Sequence, residues 1–153
     1  MHNFSRRNAI HCLVLLFAGS TFSVGSRSIA AENVSLAIKG YDPVAYFIDG
    51  KPALGLSEFE YEWDELRYRF SSAEHRERFK ADPVRYAPQF ANFCAMSLTS
   101  GALVEANPEY WLISDGKLYI FGKPAPDGPA LFQRDLDGNI AKANQNRSLV
   151  RKY

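Results

Sequence analysis

Metal donors are scarce in this chain: its 153 residues include two cysteines, three histidines and two methionines. Their positions sharpen the scarcity. Met1, His2, His11 and Cys12 all precede residue 32, so beyond Ala31 there remain one histidine (His75), one cysteine (Cys94) and one methionine (Met96). One cysteine excludes an internal disulfide, so a domain over 32–153 must be held by its core. One histidine and one cysteine also exclude a four-ligand structural zinc cluster within a single chain. A strong net charge is missing too. The sequence has 18 Lys+Arg against 17 Asp+Glu, and Arg6, Arg7 and Arg27 belong to the first 31 residues, which hold no acid; 15 bases then face 17 acids. With no basic cluster on any expected face, that balance argues against a nucleic-acid partner.

The first 31 residues combine a basic start at Arg6-Arg7 with an apolar run, Cys12-Leu13-Val14-Leu15-Leu16-Phe17-Ala18, and small residues at Ser28-Ile29-Ala30-Ala31. This order is that of a signal peptide, cleaved after Ala30 or Ala31, with an apolar centre too short to remain as a membrane-spanning helix. The expected product is periplasmic or secreted, with no stable membrane span. Ser5-Arg6-Arg7 fits a twin-arginine leader. The following Asn8-Ala9-Ile10-His11 lacks the usual tail of that motif, so the general secretory route stands beside it.

What is abundant is aromatic: 11 Phe, eight Tyr and two Trp, enough for an aromatic-rich core. No repeat, low-complexity tract or Gly/Ser/Pro linker divides residues 32–153, a length suited to one core. Glu58-Phe59-Glu60-Tyr61-Glu62-Trp63 alternates acids with aromatics, and Leu66-Arg67-Tyr68-Arg69-Phe70 alternates bases with apolar residues. Joined at Asp64-Glu65, they predict a β-hairpin with Trp63 and Tyr68 buried and Glu/Arg pairs outside. A capping box from Ser71 to Glu74 then opens a helix that runs to about Ala81 and stops at Asp82-Pro83. A short turn through Tyr86 follows, then a third helix over roughly 90–100. Asp115-Gly116 between Tyr110–Ser114 and Lys117–Phe121 predicts a second hairpin, and the tail to Val150 one or two short helices. Asp42-Pro43 suits a turn cap. Without a βαβ rhythm the expected class is α+β: two β-hairpins forming an antiparallel sheet packed against several short helices.

Several of these segments resemble one family in order. Gly40-Tyr41-Asp42-Pro43-Val44-Ala45-Tyr46-Phe47, Tyr68-Arg69-Phe70-Ser71, Asp82-Pro83-Val84-Arg85-Tyr86, Phe90-Ala91-Asn92-Phe93-Cys94-Ala95 and Asp115-Gly116-Lys117-Leu118-Tyr119 together are similar to the YHS domain, in its exported bacterial branch. The likeness covers roughly residues 36–144, within a YHS-like domain at 32–153 that ends in a helical tail. The resemblance implies a metal-binding module. Many YHS members carry cysteines where this chain has Ala45, Ser71 and His75, which leaves His75 as the one potential ligand at those places. The exported branch also usually has two glycines where this chain has Ala91-Asn92, a change that restricts the backbone where positive φ can be needed.

Candidate chemistry therefore centres on His75 and Cys94. His75 lies four residues before Phe79 and shares its helix face. It is either a hydrogen-bonded structural residue, a metal ligand or a proton carrier. Cys94, among small residues near a helix start, is either a buried apolar residue or a ligand or nucleophile. Met96, two residues on, is expected on the opposite helix face, in the core. Were His75 and Cys94 to converge, one imidazole and one thiolate would suit copper better than zinc, with Tyr41, Tyr46, Tyr68 or a second protein chain completing the set. The expected function is thus handling of a soft transition metal, copper-like or zinc, by a non-enzymatic protein. The alternatives are a cofactor-free module binding another periplasmic protein and, third, a Cys/His thiol enzyme.

Overall fold

The computed structural model describes residues 34–150. The expected leader, with its cleavage site and choice of export route, lies outside them. Among the described residues no helix is long and apolar enough to cross a membrane.

The chain enters as a short strand β1 (Ser35–Leu36), passes a left-handed turn at Ala37–Gly40, and forms one turn of helix, α1 (Ala45–Ile48). The first hairpin is β2 (Leu56–Trp63) and β3 (Leu66–Phe70). Asp64 and Glu65 both take positive φ, 49° and 63°, as a two-residue hairpin turn with matching twist requires. Glu60 stands opposite Arg69 and Glu62 opposite Arg67, with ion-pair distances of 2.8 and 3.0 Å. β1 adds to the other edge of β3 in parallel, giving the order β1-β3-β2.

Helix α2 (Ala73–Ala81) follows, with α3 (Pro83–Tyr86) begun by the Asp82 cap. The cap of α2 is Ser72, which accepts from the His75 N–H, and not Ser71. Glu74 does not reach back as in a capping box; it pairs with Arg78 one turn on, at 2.8 Å.

The expected third helix over 90–100 shrinks to α4 (Ala95–Leu98). Residues 92–94 instead run alongside 104–106: Cys94 N–H donates to the Val104 carbonyl, Ala106 N–H donates to the Asn92 carbonyl, and Phe93 bridges Glu105. Extended pairing has taken the backbone groups that a helix would have used. Ala91, standing where the resembled branch has glycine, takes φ +50°. A left-handed L-residue costs about 1–2 kcal/mol, part of which a glycine returns as unfolded-state entropy. Ala91→Gly is therefore expected to stabilise the protein by about 0.5–1 kcal/mol, read as a raised denaturant midpoint with an unchanged slope.

The second hairpin, β4 (Asn107–Ser114) and β5 (Lys117–Phe121), turns at Asp115-Gly116 and forms its own two-stranded sheet. The α+β class thus holds, with the two hairpins in separate sheets. Helices α5 (Pro129–Gln133), α6 (Leu136–Gln145) and α7 (Arg147–Val150) complete the described chain.

β5 explains how the core is divided. Its period of two sends Leu118 and Ile120 into one hydrophobic cluster and Tyr119 and Phe121 into another, all four buried. β4 repeats the division, with Trp111 and Ile113 on the first side and Tyr110 and Leu112 on the second. The first cluster gathers the β2–β3 hairpin, α1 and Phe79 of α2; the second gathers α4, α5 and α6. Tyr68 is buried as expected, whereas Trp63 is only partly covered, packing against the first cluster from its rim.

Candidate functional site

Asp42 is fully buried and acts as a hub. Its Oδ1 accepts the Val44 and Ala45 N–H groups at 2.8 and 3.3 Å, which caps α1. Its Oδ2 accepts the Ser71 N–H at 2.8 Å and the Ser71 hydroxyl at 2.7 Å, and stands 2.7 Å from His75 Nδ1. A carboxylate only accepts, so Nδ1 carries the proton in this contact. Three segments far apart in sequence, the Asp-Pro-Val turn, the end of β3 and the start of α2, are thereby pinned to one side chain. His75 is itself buried, its side chain 11% exposed.

Serine, histidine and aspartate meet here, but not in the wiring of a nucleophile. An activated serine hydrogen-bonds the ring nitrogen remote from the carboxylate. Ser71 Oγ instead donates to Asp42 and lies 3.2 Å from the same Nδ1 that faces Asp42. Its proton is held by an acceptor already engaged with His75, and no base is directed at it through Nε2.

Two of the three tyrosines offered as extra ligands are engaged elsewhere. Tyr46 donates its hydroxyl to the Pro108 carbonyl at 2.9 Å, and Tyr41 donates to Glu109 at 2.6 Å. Burial pushes the Tyr46 and Tyr68 hydroxyls well above the ordinary tyrosine range, and the hydrogen bond to Glu109 raises Tyr41. Each of these shifts disfavours the phenolate, which is the stronger ligand.

Cys94 belongs to the other hydrophobic cluster, across the β4–β5 hairpin from the cluster that α2 packs on. The fold thus brings His75 to Asp42 and Ser71, while Cys94 has separate surroundings. Cys94 is the cap of α4, with φ −65° and ψ 117°, and its Sγ accepts the Ser97 N–H at 3.4 Å. It borders an open cleft of about 480 Å³, lined also by Met96, Ser97, Val104, Gly122, Lys123, Asp127 and Leu131. Gly122 packs closely beside it: a Cβ there would meet Val104 Cγ1 at 3.3 Å and stand 3.7 Å from the Cys94 Cβ.

This cleft was not foreseeable from Cys94 and Met96 alone, because helical spacing sets residues i and i+2 on nearly opposite faces. Cys94 is extended and only Met96 is helical, so the spacing argument does not apply; Met96 packs against the hydrophobic cluster as expected of a core residue, and both residues line one cleft. Among the described residues no group of three or more His, Cys, Asp and Glu side chains is placed to hold a metal ion. The sulfur-bearing side chains that line the cleft are those of Cys94 and Met96, and one thiol with one thioether falls short of the four ligands of a structural zinc site.

No protein-family model matches the chain, no curated protein matches it, and no solved structure matches it.

Proposed function

We propose that this protein is an exported module of the YHS type that binds a soft transition-metal ion, Cu(I)-like, through the thiol of Cys94. The observation that carries this reading is that the one cysteine beyond residue 31, buried with 4% exposure, lies at the edge of an open cleft that Met96 also lines. Thiolate and thioether sulfur are soft donors suited to Cu(I), and a structural zinc ion would want four ligands. The leader-like first 31 residues support export, and the ordered YHS-like motifs support the module.

His75 enters the proposal differently from Cys94. Asp42 occupies its Nδ1, so any share in a metal site falls to Nε2, in the manner of ligating histidines oriented by a carboxylate. Titration of reduced metal-free protein with Cu(I) against a competing chelator separates the roles. One equivalent is expected to bind, and Cys94→Ser is expected to weaken it at least tenfold, about 1.4 kcal/mol. His75→Ala, measured on its folded fraction, is expected to bind as the parent does; an equal tenfold loss would instead support the shared His75–Cys94 site.

Cys94→Ser that binds as tightly as the parent would overturn the metal reading. The interaction module would then stand in its place. The thiol-enzyme reading has less support, since His75 is committed to Asp42 and the Cys94 sulfur accepts the Ser97 N–H.

A further inference from the structure

We infer that the cleft between the β2–β3 turn, α3 and α7 is a binding site for a small neutral alcohol with a compact apolar body, and that the Tyr68 hydroxyl is the group that recognises it. The site is independent of Cys94 and of the metal reading, since Tyr68 belongs to the first hydrophobic cluster and Cys94 to the second.

Tyr68 is the group left unspent by the fold. The residue is 1% exposed and its ring centroid lies 4.6 Å from that of Phe79. Its hydroxyl nonetheless has no hydrogen-bond partner among the described residues, unlike those of Tyr41 and Tyr46. No fully enclosed side-chain nitrogen or oxygen among those residues lacks a partner, so the Tyr68 oxygen is reached through free space, and the space it borders is a cleft of about 130 Å³. A buried hydroxyl is costly until something bonds it.

Size and lining set the class of ligand. A cavity of about 150 Å³ takes benzene, so this cleft admits one small ring or its equivalent. Leu66, Val84, Ala87, Pro88 and Val150 line it with carbon, where water finds few partners. The polar lining includes Asp64, Gln89 and Arg147 besides Tyr68. Burial, and then the charge of Asp64, raise the Tyr68 hydroxyl above the ordinary tyrosine range, which keeps it a donor. A ligand hydroxyl both accepts and donates, so it suits Tyr68 together with Asp64 or the Gln89 amide. A carboxylate at Tyr68 would meet Asp64 as a like charge, and Arg147 already donates to Asn144 at 3.2 Å and lies 5.2 Å from the Phe90 ring centroid. An ammonium would pair with an exposed Asp64, a contact of little worth, and would lose its water against carbon walls that Arg147 shares.

Four probes built on one ring test this: benzyl alcohol, toluene, benzoate and benzylammonium, each titrated into the metal-free protein and followed by backbone amide NMR. Benzyl alcohol is expected to give saturable shifts at Leu66, Tyr68 and Gln89 and to bind about three- to tenfold tighter than toluene, the worth of one net hydrogen bond. Tyr68→Phe gives up no bond to a described residue, so it keeps the fold, and it is expected to bind both probes alike at the parent's toluene level. Equal binding of the two by the parent, or a preference that survives in Tyr68→Phe, overturns recognition by Tyr68. Tighter binding of benzoate or benzylammonium than of benzyl alcohol overturns the neutral class. Shifts at those three amides that do not approach saturation by about 10 mM benzyl alcohol would leave water as the occupant of the cleft and overturn the site.

Discussion

Asp42→Asn is expected to destabilise the protein by about 3–5 kcal/mol, although the two side chains have nearly the same shape. All five groups around the carboxylate approach it as donors: the N–H groups of Val44, Ala45 and Ser71, the Ser71 hydroxyl and His75 Nδ1. An amide offers one oxygen and one NH₂. If the NH₂ takes the place of Oδ1, the Val44 and Ala45 N–H groups face another donor. If it takes the place of Oδ2, the Ser71 hydroxyl can rotate and the imidazole can change tautomer, but the Ser71 N–H cannot. Either orientation strands at least one buried donor, at about 1–3 kcal/mol, and also removes the charge from every bond that remains.

The site tests whether this network holds the fold or merely occupies it. Chemical denaturation of Asp42→Asn, with Asp42→Ala as a second variant that lacks any acceptor, reads the effect directly. A loss below about 1 kcal/mol in both would mean that water or rearrangement satisfies the stranded donors and that the hub is dispensable. Hydrogen exchange offers a local check, since the amides of Val44 and Ser71 should lose protection first.

The sequence makes the two hairpins legible because their signals are local. Asp64-Glu65 and Asp115-Gly116 are two-residue turns, and the alternation of Glu58 to Trp63 against Leu66 to Phe70 fixes which side chains meet across the strands. Elements go astray where a distant group competes for a local one. Ser71 looks like a helix cap, but Asp42, 29 residues away, takes its hydroxyl and its amide, and capping passes to Ser72. Residues 92–94 look helical, yet the stretch from Val104 to Ala106 pairs with their backbone. Asp42 looks like a turn cap, and it is one; that its other oxygen meets His75 is a contact across 33 residues that no periodicity encodes. For the candidate site the same limit applies. Cys94 is conspicuous as a lone thiol, but that Met96 shares its cleft follows only once Cys94 is known to lie outside the helix.

Phe79→Ala should cost as much as the loss of Asp42, because the two changes remove the two anchors of one helix. α2 is polar along most of its length, and only His75 and Phe79 are buried, one turn apart on the same face. His75 ties the first turn of the helix to Asp42, while Phe79 supplies its apolar hold on the sheet. The Phe79 ring is fully buried, with centroids 4.6 Å from Tyr68, 5.2 Å from Phe70, 6.1 Å from Trp63 and 6.3 Å from Tyr61. Truncating a buried phenylalanine costs about 3–5 kcal/mol, from lost transfer free energy and from the cavity left behind. The upper half is expected here, since four aromatic neighbours are carried by a paired hairpin that cannot collapse into the gap, and edge contacts add about 0.5–1.5 kcal/mol per pair. Trp63→Ala should cost less, because Trp63 is only partly covered and its removal opens a surface notch that water can fill. Denaturation curves of the two variants rank them. A Phe79→Ala loss no greater than that of Trp63→Ala would show that α2 is held by its polar anchor alone, and equal amide exchange along α2 in Phe79→Ala and the parent would show the same.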